Sequence, residues 1–170
     1  MYQKTMKAFL LPTSYVAYDL ETSDYFPRGE IVEFGAVKVE DGRVTGEFSE
    51  LCALKGKMNP KASATNHITD AMLVGKRSLS KVFTDFCTFV DSLPLVGFNN
   101  KRFDDLFIGR EAERADCRNP VDNGSHDVML MHGRASLASC CDEYGIVNDE
   151  AHRALSDARV THILYDAIRV

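Results

Sequence analysis

The alternation of apolar and polar residues predicts that the chain begins with three strands. Residues 15–20 are mostly β-forming types, and a second such run, residues 31–40, follows a turn-like stretch. Asp41-Gly42 is a dipeptide typical of tight turns. Residues 31–40 and 44–51 are therefore predicted to pair as the two arms of an antiparallel hairpin.

The rest of the chain alternates short apolar runs with apolar residues at helical spacing. The elements predicted there are a polar basic loop at 55–60, a short helix at 69–73, helices at 80–90, 102–115 and 137–144, a strand at 93–98, and a closing helix from about Ala154. Residues 126–131 fit either a strand or a helix start. Strands that come first and then alternate with helices predict an α/β domain, with a mixed central sheet of about five strands flanked by helices.

Length and composition indicate one ordinary globular domain. The chain has 170 residues, of which 45% are hydrophobic and 26% charged. No apolar run approaches the roughly 20 residues of a membrane-spanning helix, so we expect no membrane partner. The five cysteines are scattered without a C-x-x-C pair, which favours a reducing, cytoplasmic location. We expect residues 14–170 to form the domain and residues 1–13 to be a tail or docking segment.

Two acidic residues, Asp19 and Glu21, follow the first apolar run. They are two residues apart, so a strand places both carboxylates on one face. On a solvated strand end their repulsion is tolerable, and this is the simpler interpretation. If the strand end lines a cleft, the pair needs a cation, and oxygen ligands select hard metals such as Mg²⁺ or Mn²⁺.

The last helix contains a second acidic residue at an unexpected position. Asp157 precedes Val160 and Leu164 by three and seven residues, which extends the apolar stripe onto a carboxylate. The alternative is that Asp157 lies in the first helical turn, where the helix dipole favours an acid. His152 is predicted in the loop before this helix, where an imidazole can act near neutral pH but is more often just a surface residue. Arg153 has the charge to contact a phosphate, but a solvated charge is the simpler prediction for it.

The middle of the chain offers two adjacent candidates, Asp104 and Asp105. Asp104 shares a helical face with Phe107 and Ile108, whereas Asp105 shares one with Ile108 and Ala112. Periodicity alone does not choose between the two.

Three short segments carry a family resemblance. They are Asp19-Leu20-Glu21-Thr22 after an apolar strand, Asn100-Lys101-Arg102-Phe103-Asp104 after a second, and His152-Arg153-Ala154-Leu155-Ser156-Asp157. In this order and at these separations they resemble the DEDD superfamily of 3′-to-5′ exonucleases, in its DnaQ-like branch with a catalytic histidine. The resemblance covers nearly the whole chain, implies an RNase H-like fold and favours Asp104 over Asp105.

The resemblance also implies a mechanism. Two divalent ions, Mg²⁺ or Mn²⁺, would be held by Asp19, Glu21, Asp104 and Asp157, with His152 as the general base. The reaction would release nucleoside 5′-monophosphates from a 3′ end. The residues implied to contact the substrate are Leu20, Thr22, Asn100 and Phe103, although an aromatic residue beside a helix start, as Phe103 is, more often belongs to the core.

The net charge of −5 limits the expected partners. Proteins that follow many duplex phosphates usually have a basic surface, whereas an enzyme that holds the last few nucleotides needs few phosphate contacts. The charge is therefore compatible with nuclease activity. The resemblance implies a nucleic-acid 3′ end as the partner, of single-stranded DNA in the first place, and a polymerase or other DNA-processing protein as a second partner. The alternatives are an RNA 3′-end trimming enzyme on the same scaffold, and an inactive scaffold or polymerase-docking module.

Overall fold

A mixed β-sheet forms the centre of the molecule. The computed structural model describes residues 11–169, and the sheet has six strands in the order β4-β3-β2-β1-β5-β6. The strands are β1 (Tyr15–Thr22), β2 (Ile31–Glu40), β3 (Arg43–Ala53), β4 (Arg77–Ser78), β5 (Leu95–Gly97) and β6 (Ser125–Asp127). β1, β2 and β3 pair antiparallel, whereas β5 is parallel to both β1 and β6, and β4 is parallel to β3.

Helices cover both faces of the sheet. They are α1 (Pro60–Asn66), α2 (Asp70–Leu73), α3 (Leu79–Val90), α4 (Asp104–Ala115), α5 (Val128–His132), α6 (Leu137–Tyr144) and α7 (Ala154–Arg169). Short 3₁₀ turns at Asn100–Arg102 and Pro120–Asn123 precede α4 and β6. This arrangement confirms the predicted α/β class with a mixed sheet, and the strand beyond the predicted five is the two-residue β4.

The two faces of β1 enter two separate cores, because successive side chains of a strand point to opposite sides. Val16, Tyr18 and Leu20 pack with α3 and α4. Tyr15 and Ala17 pack with α5, α6 and α7 on the other side. By the same alternation, the next side chains toward the carboxyl end of β1 on the α7 side are carboxylates.

The secondary structure adds a helix to the predicted elements and decides one open alternative. The loop predicted at 55–60 ends in helix α1, because Asn59 caps it by accepting a hydrogen bond from Lys61 N at 2.9 Å and Pro60 provides a first residue preset for a helix. Residues 126–131 were predicted as either a strand or a helix start, and they contain both: β6 ends at Asp127 and α5 begins at Val128.

The predicted tail at 1–13 lies mostly outside the described residues. Leu11 packs against the core beside α7, and the Tyr165 hydroxyl donates a hydrogen bond to the Pro12 carbonyl at 3.3 Å. Among residues 11–169, no helix has the length and apolar character needed to cross a membrane.

Candidate active site

Three carboxylates meet at the carboxyl end of β1. Asp19 and Glu21 on β1 and Asp157 in the first turn of α7 each offer an oxygen within 4.8 Å of the others. Oxygen ligands lie about 2.0–2.6 Å from a hard divalent ion, so the ligands of one ion lie within about 5 Å of one another. The three carboxylates therefore fit a shared cation.

A glycine on β2 allows the start of α7, and with it Asp157, to lie close to the carboxylates of β1. Gly35 pairs with Asp19 across the β1–β2 ladder, and a Cβ built on Gly35 would lie 2.0 Å from the carbonyl carbon of Ala154, the first residue of α7. Only a residue without a side chain lets the helix start lie directly on the strand. The close approach brings Asp157, one turn further on, over the two β1 carboxylates.

Burial and mutual repulsion make the ionised cluster unfavourable without a cation. Burial raises the pKa of Asp19 well above its usual value, and the neighbouring charges of Asp104 and Glu21 add to the shift. Burial and then the charge of Asp157 raise the pKa of Glu21 to about 8, while a hydrogen bond from Asn66 opposes the shift. A bound divalent cation would reverse this balance and keep the carboxylates ionised.

The structure distinguishes Asp104 from Asp105. Asp104 begins α4, is 4% exposed, and its Oδ1 has no hydrogen-bond partner among the described residues. Burial raises its pKa to about 8, and its charge acts on Asp19. Asp104 lies outside the group of three carboxylates that share oxygens within 4.8 Å.

The carboxylate of Asp105 is occupied by hydrogen bonds from other residues of the protein. Its carboxylate accepts hydrogen bonds from the Tyr18 hydroxyl, the Asn100 amide at 3.0 Å and the Ser125 hydroxyl at 2.7 Å. These donors come from β1, the 3₁₀ turn and β6. Asp105 therefore ties the elements behind the site together, and Asp104 is left with an unpartnered oxygen.

Asp157 also organises the loop before α7. Its Oδ1 accepts a hydrogen bond from the Asn148 amide at 2.6 Å, and its Oδ2 accepts one from the backbone N–H of His152 at 3.1 Å. The Ser156 hydroxyl donates to Asn148 Oδ1 at 2.7 Å and fixes the orientation of that amide. His152 is exposed, with a positive φ of 64°.

The prediction of a solvated charge at Arg153 is wrong. Its guanidinium binds both carboxylate oxygens of Glu33, with Nε at 3.2 Å from each, and the N–H of Ala154 donates to Glu33 Oε2 at 3.1 Å. Glu33 is 3% exposed and pairs with Glu21 in the β1–β2 ladder. The ion pair thus fastens the His152 loop to the strand beside the carboxylates.

A cleft of about 160 Å³ opens beside the carboxylates. Glu21, Thr22, Asn66 and Phe103 are among the residues that line it. Asn66 donates to the Thr22 carbonyl at 3.3 Å. Thr22 and Phe103, both implied to contact the substrate, therefore lie at one cleft with a candidate metal ligand.

Leu20 and Asn100, the other two residues implied to contact the substrate, lie beneath the cleft. Leu20 is 4% exposed because it points to the opposite face of β1 from Asp19 and enters the core with α3 and α4. Asn100 has no exposed surface, and its side chain packs directly on Gly97. A Cβ built on Gly97 would lie 2.5 Å from the Cβ of Asn100. Its amide is bonded to Asp105 and Ser125.

Comparisons with known proteins agree with this fold. A family model described as Exonuclease (RNase_T) matches residues 16–165. DNA polymerase III PolC-type of Thermotoga petrophila is 32% identical over 154 residues, which are 87% of this chain and 11% of that protein. The PolC-type polymerase of Lacticaseibacillus paracasei is 31% identical over 164 residues, 92% of this chain and 11% of that protein. The chain thus spans about one tenth of the length of these relatives.

Solved structures of Escherichia coli Exonuclease I have the same fold. The complex with a dT13 oligonucleotide superposes with a TM-score of 0.82 at 18% identity, over 94% of this chain and 41% of that one. The complex with a dA16 oligonucleotide gives 0.80 at 20% identity, over 93% and 41%. The predicted RNase H-like fold is confirmed. Together with the family match, these findings show that the chain belongs to the DnaQ-like 3′-5′ exonuclease family.

Proposed function

We propose that this chain is a metal-dependent exonuclease that hydrolyses phosphodiester bonds at the 3′ end of single-stranded DNA and releases nucleoside 5′-monophosphates. The observation that carries the proposal is the group of Asp19, Glu21 and Asp157, whose carboxylate oxygens lie within 4.8 Å of one another beside an open cleft. Residues 14–170 form the exonuclease domain in this proposal, and the family match over residues 16–165 supports it.

The carboxylates are suited to Mg²⁺ or Mn²⁺. They offer only oxygen, the ligand that hard cations prefer. Asp19, Glu21 and Asp157 would hold one ion, and Asp104, whose Oδ1 lacks a protein partner among the described residues, would help to hold a second. When bound, two such ions lower the pKa of a water and stabilise the charge that develops at phosphorus.

His152 supplies the base in this proposal. Its imidazole is exposed and would accept a proton from the attacking water. The bond from the His152 N–H to Asp157 keeps the histidine loop next to the carboxylates. The Glu33–Arg153 pair holds the same loop from the side of β2.

The cleft supports a single-stranded end as the substrate. Phe103 is half-buried at the cleft and presents an aromatic ring on which a free base can stack. The PolC-type relatives are DNA polymerases, and the Exonuclease I structures hold dT13 and dA16. These likenesses favour DNA over RNA, and they make a replicative polymerase the most suitable protein partner.

A matched pair of oligonucleotides tests the substrate and the product. Single-stranded DNA and RNA of one sequence, each with a 5′ label, are incubated with the protein and Mg²⁺ or Mn²⁺, and the released nucleotides are identified by chromatography. We expect faster shortening of the DNA and release of nucleoside 5′-monophosphates. Faster shortening of the RNA would show that the enzyme trims RNA 3′ ends rather than DNA. Release of 3′-monophosphates would overturn the proposed chemistry.

A further inference from the structure

One hydrogen bond joins the chain neighbours of two candidate metal ligands. Tyr18 precedes Asp19 on β1, and its side chain lies on the opposite face of the strand, in the core shared with α3 and α4. Asp105 follows Asp104 in the first turn of α4. The Tyr18 hydroxyl donates to Asp105 Oδ1 at 2.5 Å. A bond between the strand and the helix therefore lies one residue away from each of the two ligands.

The ring of Tyr18 is enclosed by the protein. Tyr18 is 1% exposed, and its ring packs against that of Phe86 on α3, with 6.1 Å between the centroids. A ring packed in this way has little freedom to change its rotamer. Its hydroxyl therefore has a fixed position, and the bond to Asp105 sets the distance between β1 and the start of α4.

Two more donors hold the Asp105 carboxylate from other elements. The Asn100 amide, from the 3₁₀ turn before α4, donates to Oδ1 at 3.0 Å, and the Ser125 hydroxyl, from β6, donates to Oδ2 at 2.7 Å. The same Asn100 amide also donates to Ser125 Oγ at 2.8 Å. Asp105 is thus held by three uncharged donors from three parts of the chain, and it cannot shift without breaking several hydrogen bonds.

Asp104 differs from its neighbour in what its carboxylate can do. It is 4% exposed, and its Oδ1 has no partner among the described residues, so this oxygen is available to an ion. The groups that orient a metal ligand usually matter for metal affinity almost as much as the ligand does. We propose that Asp105 is a positioning residue: through Tyr18 it holds the start of α4 against β1 and so places Asp104 to bind a divalent ion. This role rests on the proposed function.

A second tyrosine–aspartate bond on the other face of β1 provides a matched control. Tyr15 is fully buried, and its hydroxyl donates to Asp166 Oδ1 at 2.9 Å and lies 2.8 Å from His162 Nδ1. Asp166 lies near the end of α7, away from the carboxylates at its start. Tyr15→Phe and Tyr18→Phe each remove one hydroxyl from a buried ring, so we expect both to lower the Tm in EDTA. Only Tyr18→Phe should change the binding of metal.

Calorimetric titration with Mn²⁺ alone, without DNA, tests the positioning role. For the more weakly bound Mn²⁺ we expect a Kd about 10- to 100-fold higher in Tyr18→Phe than in the wild type, and an unchanged Kd in Tyr15→Phe. Asp105→Ala should resemble Tyr18→Phe. Asp105→Asn should lie closer to the wild type, because the carbonyl oxygen of its amide still accepts a hydrogen bond from the Tyr18 hydroxyl.

Kinetics on 5′-labelled single-stranded DNA separates a metal effect from a general loss of structure. Tyr18→Phe should need about 10- to 100-fold more Mn²⁺ for half-maximal kcat, with little change in the KM for DNA, and saturating Mn²⁺ should restore most of its kcat. Equal Mn²⁺ requirements and equal Kd values for Tyr18→Phe and Tyr15→Phe would overturn the inference, as would a loss of kcat that saturating Mn²⁺ does not restore. If the Mn²⁺ Kd depends on Tyr18 but the wild type does not shorten DNA, the proposed function fails and the positioning role stands.

Discussion

Asp157 holds the backbone of His152: its Oδ2 accepts a hydrogen bond from the His152 N–H at 3.1 Å, while the imidazole itself is exposed. The loop has a positive φ of 64° at His152, a conformation that costs a non-glycine residue free energy. The hydrogen bond helps to maintain it. One carboxylate therefore serves both the candidate metal site and the position of the candidate base.

Replacement of the histidine should affect the reaction and leave the fold intact. We expect His152→Ala to slow 3′ shortening by roughly 100-fold or more, the usual contribution of a general base, with little change in Tm because the side chain is exposed. Arg134→Ala is the control, since Arg134 is exposed and also has a positive φ, of 73°. An unchanged rate for His152→Ala in single-turnover assays would remove its role as the base.

Asn148 should act on the metal through Asp157. Its amide lies 2.6 Å from Asp157 Oδ1, and loss of a group that orients a metal ligand usually lowers metal affinity by about 10- to 100-fold. We expect Asn148→Ala to weaken Mn²⁺ binding to this extent in calorimetric titrations. The control is Asn123→Ala, because the Asn123 amide bonds only the carbonyls of Asp91 and Leu93 among the described residues. Equal Mn²⁺ affinity in the two variants would contradict the role of Asn148.

The Glu33–Arg153 pair should contribute more to stability than a similar pair at the surface. Arg153→Met leaves Glu33, which is 3% exposed, with the Ala154 N–H as its one remaining hydrogen-bond donor among the described residues. We expect a loss of about 1–3 kcal/mol in the free energy of unfolding, below the value for a fully buried pair because Arg153 is partly exposed.

The matched control for that variant is Arg159→Met. Arg159 also binds its glutamate, Glu47, with two nitrogens, at 2.8 and 2.7 Å, but both side chains are exposed. Such a pair contributes about 0–1 kcal/mol. Urea unfolding in EDTA measures both variants, and a loss for Arg153→Met no greater than for Arg159→Met would show that the Glu33 contact is not a strong anchor.

Without metal, the acidic cluster should destabilise the fold as the pH rises. The folded state holds the pKa of Glu21 at about 8, above its ordinary value of 4.5, mainly by burial. Between these two pH values the unfolded chain releases the proton and the folded chain keeps it, so the free energy of unfolding falls with pH. The Tm advantage of Glu21→Gln over the wild type in EDTA should therefore grow from about pH 5 to pH 8.

Saturating Mg²⁺ should remove that advantage, because an ion that binds only the folded state stabilises it. A Tm difference in EDTA that shrinks as the pH rises would contradict the direction of the Glu21 pKa shift. A difference that Mg²⁺ leaves unchanged would show that no cation binds at these carboxylates.

Local sequence patterns predicted the parts of the site that depend on one element. The spacing of two residues placed Asp19 and Glu21 on one face of β1, and the apolar stripe of α7 made Asp157 stand out as an acid on a buried face. Helix α1 was missed, although Asn59 before Pro60 is a recognisable start signal. As a result, its last residue, Asn66, was not predicted to line the cleft.

Contacts between distant segments could not be predicted from such patterns. Periodicity left Asp104 and Asp105 equivalent. The difference comes from the donors to the Asp105 carboxylate, and two of them, Tyr18 and Ser125, lie 87 and 20 residues away in the chain. Glu33 and Arg153 are 120 residues apart, so nothing near Arg153 indicated a partner. The family resemblance selected Asp104, but only the packing of β1, β6 and α4 gives the physical reason.

The most direct test of the metal-carboxylate account is a time course of 3′ shortening by wild type and Asp19→Ala on 5′-labelled single-stranded DNA, with Mg²⁺ or EDTA. Asp19 lies at the centre of the acidic group, and the exposed Asp122 provides a matched Asp→Ala control. We expect a ladder that shortens by single nucleotides with wild type and Asp122→Ala in Mg²⁺, and intact strands with EDTA or Asp19→Ala. Metal-independent shortening, full activity of Asp19→Ala, or no shortening by the wild type would contradict it.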